Sequence, residues 1–150
     1  MRILHLAQRG TSLHVLLIVV MTMLLAACGN TTPAEQIVGK WKLTEFTSQG
    51  KTLSADDFGY ERVYQFFEDG SMASTKRDPN SDQQSIDRGT YILLANGQLT
   101  RTIDERPSTR NAEFKGNILI LTARITPKYD PSSRKTPPPY DIVEILERID

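Results

Sequence analysis

The sequence predicts an all-β protein, a small antiparallel up-and-down barrel or barrel-like meander of about eight strands, preceded by a signal peptide. The chain has 150 residues, which is room for one domain. After residue 37, short runs rich in β-branched and aromatic residues recur, and pairs such as Asp-Gly and Asn-Gly between them favour tight hairpins. Strands do not alternate with long helical patterns, so a parallel α/β sheet is not expected.

Residues 1–27 predict an export signal that is removed from the mature protein. Arg2 and Arg9 supply a positive start, residues 13–25 supply an apolar run, and the small residues Ala26 and Ala27 mark a cleavage site. The apolar run is shorter than the roughly 20 residues that span a bilayer. A cleaved signal is therefore expected rather than a transmembrane anchor.

The only cysteine of the chain, Cys28, directly follows this segment. The sequence Leu25-Ala26-Ala27-Cys28 resembles the lipobox of bacterial lipoproteins. The resemblance implies that the sulfur of Cys28 receives a diacylglycerol and that the chain is cut before it. It also implies a further acyl chain on the new amino group, and two or three acyl chains give stable membrane anchoring. The position argues against a core thiol or an intermolecular disulfide.

The resemblance to lipoproteins also predicts the location of the protein. We expect it to be exported and lipid-anchored to the cell membrane. Asp after the cysteine often retains such proteins at the inner membrane, and Gly29 stands there instead, which favours the outer membrane if the host has one. Residues 28–36 are polar and lack periodicity, so they predict the lipidated cysteine and a flexible tether before a folded domain of residues 37–150.

The elements of the domain follow from its runs and turns. Turns are predicted at residues 49–50, 69–70, 96–97 and 116–117, one helical turn at 55–58, a polar loop at 78–88 and a proline-rich loop at 126–139. Strands are predicted at residues 37–46, 63–67, 71–77, 90–94, 99–103, 111–114 and 118–125. Residues 140–149 combine helical spacing with β-branched residues, and a strand is favoured because a barrel needs a closing strand.

Four short motifs resemble the bacterial lipocalin-like domains found on lipoproteins. Gly39-Lys40-Trp41 is similar to the Gly-x-Trp signature of lipocalins. The other three motifs lie at residues 66–70, 89–93 and 118–121. The resemblance covers residues 37–149 and implies a β-barrel, with Trp41 packed across its closed end as a structural residue. The long proline-rich loop departs from the family pattern.

Aromatic residues on the predicted strands are the candidates for ligand contact. They are Tyr64, Phe66, Tyr91 and Phe114. In a barrel of this size, side chains either fill the interior or leave space for one small ligand, and filling is the more common outcome. Both alternatives remain open from the sequence.

Composition argues against several classes of function. Both histidines, His5 and His14, lie in the segment expected to be removed, and Cys28 is expected to be acylated. Histidine-dependent nucleophilic sites, histidine general bases and His/Cys zinc sites are therefore not expected. Acidic pairs lie in or beside predicted turns, where carboxylates are common. We predict no catalytic residue, metal or cofactor, and, without a clustered positive excess, no nucleic-acid partner.

The sequence thus predicts a non-enzymatic envelope lipoprotein, held at the membrane through Cys28, whose lipocalin-like domain binds a small apolar or amphipathic molecule. Tyrosine hydroxyls would orient the ligand against apolar side chains. The alternative is an envelope protein-interaction module with a filled barrel, in which the loops of residues 78–88 and 126–139 face an unknown protein partner. A hydrolase with paired carboxylates is a third hypothesis, and it needs two of them to converge in a cleft.

Overall fold

The computed structural model describes residues 31–128 and 136–150. The expected signal peptide, its cleavage site and Cys28 lie outside the described residues. Residues Thr32–Asp150 form one compact unit, which contains every element described below.

One short helix, nine strands and one 3-10 turn make up the described unit. They are α1 (Pro33–Ile37), β1 (Gly39–Ser48), β2 (Lys51–Ser54), the 3-10 turn (Ala55–Phe58), β3 (Glu61–Phe66), β4 (Ser71–Arg77), β5 (Gln84–Leu93), β6 (Gln98–Ile103), β7 (Arg106–Lys115), β8 (Ile118–Ile125) and β9 (Tyr140–Arg148). The 3-10 turn covers the residues for which the sequence predicts one helical turn.

The strands form one closed antiparallel barrel. Each strand from β3 to β9 pairs with the next along the chain, β1 pairs with β3, and β9 returns to pair with β1. Eight strands therefore close the barrel, while β2 pairs only with the second half of β1. The predicted all-β barrel of about eight strands is confirmed, and residues 140–148 form the closing strand rather than a helix.

The helix α1 is held by a reciprocal cap at its first turn. The Thr32 side chain accepts from the Glu35 amide, and the Glu35 carboxylate accepts from the Thr32 amide at 2.8 Å. Pro33 suits the first helical position because its fixed φ matches a helix and it needs no amide partner. The sequence predicts a flexible tether up to residue 36, whereas in the structure Pro33 to Gln36 belong to this helix.

Three further stretches differ from the sequence prediction. Lys51–Ser54 form β2, where no strand is predicted. Residues 84–88 belong to β5 rather than to the polar loop, because Gln84 to Arg88 pair with β4 despite their polar composition. Strand β7 begins at Arg106, directly after a two-residue turn at Asp104 and Glu105, where no hairpin is predicted. Both turn residues have positive φ, 49° and 61°, which the sequence does not signal because neither is Gly or Asn.

The apolar core fills the end of the barrel where β1 begins and β9 ends. Its fully buried side chains include Trp41, Phe66, Leu99, Leu119, Leu121 and Leu146. Ile37, at the end of α1, is also fully buried and belongs to the same cluster. The packed core fixes the positions of the strands at the closed end. The other halves of these strands carry the candidate functional site.

Candidate functional site: a charged cluster inside the barrel

The inner surface of the barrel changes character between its two ends. Residues directly opposite each other on paired strands share a face of the sheet. Leu146 lies opposite Leu43 near the closed end, while Glu144, two residues earlier on β9, lies opposite Phe46. A bulge at Thr44 shifts the register of β1, so Phe46 returns to the inner face. A charged side chain therefore projects inward in the middle of the barrel.

Glu144 forms an ion pair with Arg101 of β6. The distance from Arg101 Nη2 to Glu144 Oε2 is 2.9 Å, and the two side chains are 6% and 8% exposed. Strands β6 and β9 are not neighbours, because β7 and β8 lie between them in the sheet. The pair therefore spans the interior of the barrel rather than following its wall.

Tyr64 of β3 completes the contacts of this pair from a third strand. Its hydroxyl donates to Glu144 Oε1 at 3.4 Å. The Arg101 guanidinium lies 5.0 Å from the centre of the Tyr64 ring, within the range of a cation–π contact. Glu144 and Tyr64 together fix the position of the Arg101 side chain.

Two more arginines project from the inner face toward the same region. Arg62 lies two residues before Tyr64 on β3, and Arg110 of β7 lies directly opposite Leu99, two residues before Arg101. Both are half-buried, and both interact electrostatically with Glu144. We call Arg62, Arg101 and Arg110 the arginine cluster. One carboxylate, Glu144, faces three guanidinium groups.

The arginine cluster has donors that find no hydrogen-bond partner in the part of the chain that the structure describes. Among the described residues, four buried side-chain polar atoms have no hydrogen-bond partner, and all four are arginine nitrogens of this cluster: Nε and Nη1 of Arg101, and Nε of Arg62 and Arg110. A buried donor without a partner costs about 1–3 kcal/mol. This part of the interior is thus both electropositive and rich in free donors.

The pKa values in the cluster report the same environment. Burial, and then the charge of Glu144, raises the pKa of Tyr64, so its hydroxyl is protonated at neutral pH. Burial lowers the pKa of Arg110; the charge of Glu144 opposes this lowering, and the charge of Arg101 adds to it. Burial opposes the charge of Arg62, but its neighbours, Tyr64 first and Glu144 among them, outweigh it and raise its pKa.

Toward the open end, the inner face is again partly apolar. Register places four half-buried apolar side chains beyond the arginine cluster, on β1, β6, β8 and β9: Phe46, Ile103, Ile125 and Ile142. Tyr60, before β3, lies at this end with the Arg62 guanidinium 5.4 Å from its ring. Two surface clefts, about 290 and 360 Å³, share Gly59 and Tyr60 in their walls.

The four aromatic candidates from the sequence do not share one location. Tyr64 lies in the cluster and is buried. Phe66 is fully buried and packs edge-on against Tyr91, with ring centres 5.0 Å apart. The Tyr91 hydroxyl donates to the Phe67 carbonyl at 2.7 Å, and Phe114 packs 6.1 Å from Trp41. Three of the four therefore pack at the closed end, and their contact with a ligand stays a prediction.

The signature residues lie where β1 enters the barrel. Trp41 is fully buried, its indole nitrogen donates to the Ile37 carbonyl at 2.7 Å, and the Arg148 guanidinium lies 4.4 Å over its ring. Gly39 has a φ of 130°, and a Cβ there would lie 2.5 Å from Arg148 Nη1. Trp41 and Gly39 therefore allow the Arg148 side chain to pack against the closed end of the barrel.

The sequence alone does not predict a functional role for four residues of this site: Arg62, Arg101, Arg110 and Glu144. The alternation of inward-facing and outward-facing residues along their strands nevertheless indicates that two of these charges are buried. Arg101 lies between Leu99 and Ile103 at positions that face inward, and Glu144 lies between Ile142 and Leu146. A charged residue in register with apolar residues of a strand marks a buried charge.

Within the described residues, no group of three or more potential ligands is placed to hold a metal ion. In the same ranges, no helix is long and apolar enough to cross a membrane.

The sequence pattern of the family described as a lipocalin-like domain matches residues 37–121. The match spans more than half of the chain. The chain belongs to this family. No curated protein matches the chain. The matched part of the lipocalin-like domain includes Tyr64 and the arginine cluster, whereas Glu144 and the closing strand β9 lie beyond it.

Proposed function

We propose that the protein is a membrane-anchored envelope lipoprotein whose lipocalin-like domain binds a small amphipathic molecule inside the barrel. The observation that carries the proposal is the division of the inner face. Apolar side chains pack the closed end, a charged cluster lies in the middle, and half-buried apolar side chains line the open end. Barrels of this size fill with side chains or hold one small ligand.

A buried ion pair inside a barrel contributes little to stability compared with apolar side chains in the same space. Replacing such a pair with apolar residues of similar volume is often neutral or stabilising, because desolvation offsets most of the attraction. The Arg101–Glu144 pair and the unsatisfied donors beside it therefore support a binding role. Ligand pockets commonly combine apolar walls with a few polar groups that fix orientation.

Binding is tested by native mass spectrometry of the full chain, extracted from its own host's envelope in a mild non-ionic detergent. We expect a reproducible added mass that organic solvent releases. A clean protein mass that takes up none of a panel of amphipathic molecules would contradict the proposal.

Anchoring rests on the lipobox resemblance at Cys28. We expect Cys28→Ala to abolish fatty-acid labelling, because the thiol is the acceptor of the lipid, and to move the protein out of the membrane fraction. Asn30→Ala is the matched control and should label like the unaltered protein. Labelling of the Cys28 variant would refute the anchor.

A second candidate function is protein interaction without a ligand. It is favoured by apolar residues at the outer surface of β5, where Ile92 is 64% exposed and Ile86 is 46% exposed. Larger exposed apolar patches mark interaction surfaces. In this case, the mass experiment gives a clean protein mass, and Ile92→Ser reduces recovery of a crosslinked partner from the envelope.

A further inference from the structure

The geometry points to an oxyanion, a carboxylate or a phosphate, as the head of the bound molecule, held by Arg62, Arg101 and Arg110 inside the barrel. The inference rests on the proposed function and adds the chemistry of the ligand head and its orientation. The head lies deep at the arginine cluster, and the apolar tail extends toward the open end.

Charge is the first argument. Three guanidinium groups converge on one carboxylate, and guanidinium stays protonated at neutral pH. Tyr64 adds no negative charge, because burial and Glu144 raise its pKa. Buried charges are normally paired. The cluster therefore holds an excess of positive charge that an anionic group would compensate.

Hydrogen bonding is the second, independent argument. Arg101 uses Nη2 for Glu144, while its Nε and Nη1 have no hydrogen-bond partner among residues 31–128 and 136–150. The Nε atoms of Arg62 and Arg110 are also buried without partners. A carboxylate or phosphate presents two or more acceptor oxygens to such donors, and guanidinium groups bind these anions with strong charge-assisted hydrogen bonds.

The positions of the arginine cluster and of the apolar residues within the barrel indicate how the bound molecule is oriented. Arg101 is 6% exposed on its side chain, so it lies deep, and its contacts with Glu144 and Tyr64 hold it before a ligand arrives. Such preorganisation lowers the free-energy cost of binding. Below the cluster, the core side chains are fully buried and packed together. The half-buried apolar residues toward the open end, including Ile125 and Ile142, are therefore the wall for the tail.

The test titrates the full chain in non-ionic detergent and counts bound molecules by native mass spectrometry. The probes are decanoate, decyl phosphate, decanol and inorganic phosphate. We expect at least one of the two ionic amphiphiles to bind about tenfold or more tightly than decanol, because decanol has the same tail without the charge. The tighter of the two identifies the head as a carboxylate or a phosphate.

Variants then locate the head. Arg62→Gln and Arg110→Gln leave the Arg101–Glu144 pair intact, and each should weaken binding of the ionic amphiphile by about tenfold while leaving decanol unchanged. Arg88→Gln is the matched control, since Arg88 is exposed on the outer face of β5. Arg62→Lys and Arg110→Lys should retain part of the affinity through their charge. Circular dichroism shows that each variant is folded, and two separate arginines keep the test available if one variant is not.

The outcomes separate this inference from the proposed function. Binding of decanol as tight as that of both decanoate and decyl phosphate, or unchanged affinities in both glutamine variants, would overturn the oxyanion head and leave an amphiphile-binding barrel. Binding of inorganic phosphate as tightly as decyl phosphate would support an oxyanion site and overturn the amphiphile. No binding of any probe would overturn both.

Discussion

Arg148 joins the helix and the barrel through a single side chain. It donates to the carbonyls of Val38, at 2.9 Å, and Gln36, and its guanidinium covers the ring of Trp41. Carbonyls at a helix end have no partner within the helix, so an arginine that reaches them replaces water. The closed end therefore depends on this contact as well as on apolar packing.

Replacing Arg148 tests this dependence. We expect Arg148→Gln to lower the free energy of unfolding in urea by about 2–4 kcal/mol, because hydrogen bonds and a cation–π contact are lost together. Arg124→Gln is the control, since the Arg124–Asp141 ion pair is largely exposed and such pairs contribute less than about 1 kcal/mol. Equal losses in both variants would contradict the role of Arg148.

Tyr64 gives the stability a dependence on high pH. Burial first, and then Glu144, raises its pKa in the folded state above the value of about 10 in an unfolded chain. The folded state therefore keeps the proton that the unfolded state loses. The corresponding stability is fully present below about pH 10 and is lost as the pH rises through the folded-state pKa.

The measurement is urea unfolding between pH 8 and 11.5. We expect the free energy of unfolding to fall above about pH 10, with Tyr64 contributing at most about 1.4 kcal/mol per pH unit. Tyr64→Phe should reduce this slope. A part of the slope should remain in the Tyr64 variant, because burial and nearby acidic residues also raise the pKa of Tyr91. An unchanged slope in Tyr64→Phe would refute the assignment.

At the level of elements, the hairpins show what local sequence determines. The turns at Gly70, Gly97 and Gly116 all have glycine at positive φ, and the sequence predicts all three. The turn at Asp104 and Glu105 has positive φ at both residues but contains no glycine, so local sequence does not predict it. The register of β6 with β7 selects that turn, since Ile103 lies directly opposite Arg106.

This turn offers a stabilising substitution. We expect Glu105→Gly to raise the free energy of unfolding by up to about 1 kcal/mol. It removes the cost of positive φ for a residue with a Cβ, and the added unfolded-state entropy offsets only part of the gain. Thr109→Gly, in the exposed middle of β7, should instead cost about 0.5–1 kcal/mol. Calorimetric melting temperatures compare the two, and a lower value for Glu105→Gly would contradict the strain.

At the level of the whole molecule, the barrel is predictable but the cluster is not. Alternation, turns and the family resemblance predict about eight strands with a closing strand at residues 140–149. The arginine cluster depends on contacts between distant strands, such as Arg101 of β6 and Glu144 of β9. From local sequence alone, a charged residue in a strand is expected to face solvent. The three arginines and Glu144 lie inside because the strands close into a barrel.

The buried pair also predicts a specific pattern in a double-mutant cycle. Glu144→Leu alone should cost about 3–5 kcal/mol, because it leaves the buried Arg101 without its partner. Arg101→Met alone should cost less, because Arg62 and Arg110 still interact with the Glu144 carboxylate. The double variant should cost clearly less than the sum of the two single variants. Urea unfolding measures all four proteins. Single losses that simply add in the double variant would show that the two side chains do not interact.

Closure of the barrel by β1 and β9 has a consequence for folding kinetics. The hairpins between successive strands join residues that are close in the chain, and isolated hairpins form within microseconds. Thr44 and the Ile145 carbonyl, by contrast, are 101 residues apart. Folding therefore waits for a long loop to close, which places this domain among slow, millisecond-to-second folders. Until then, β1 and β9 each present an unpaired edge, and refolding yield should fall as protein concentration rises.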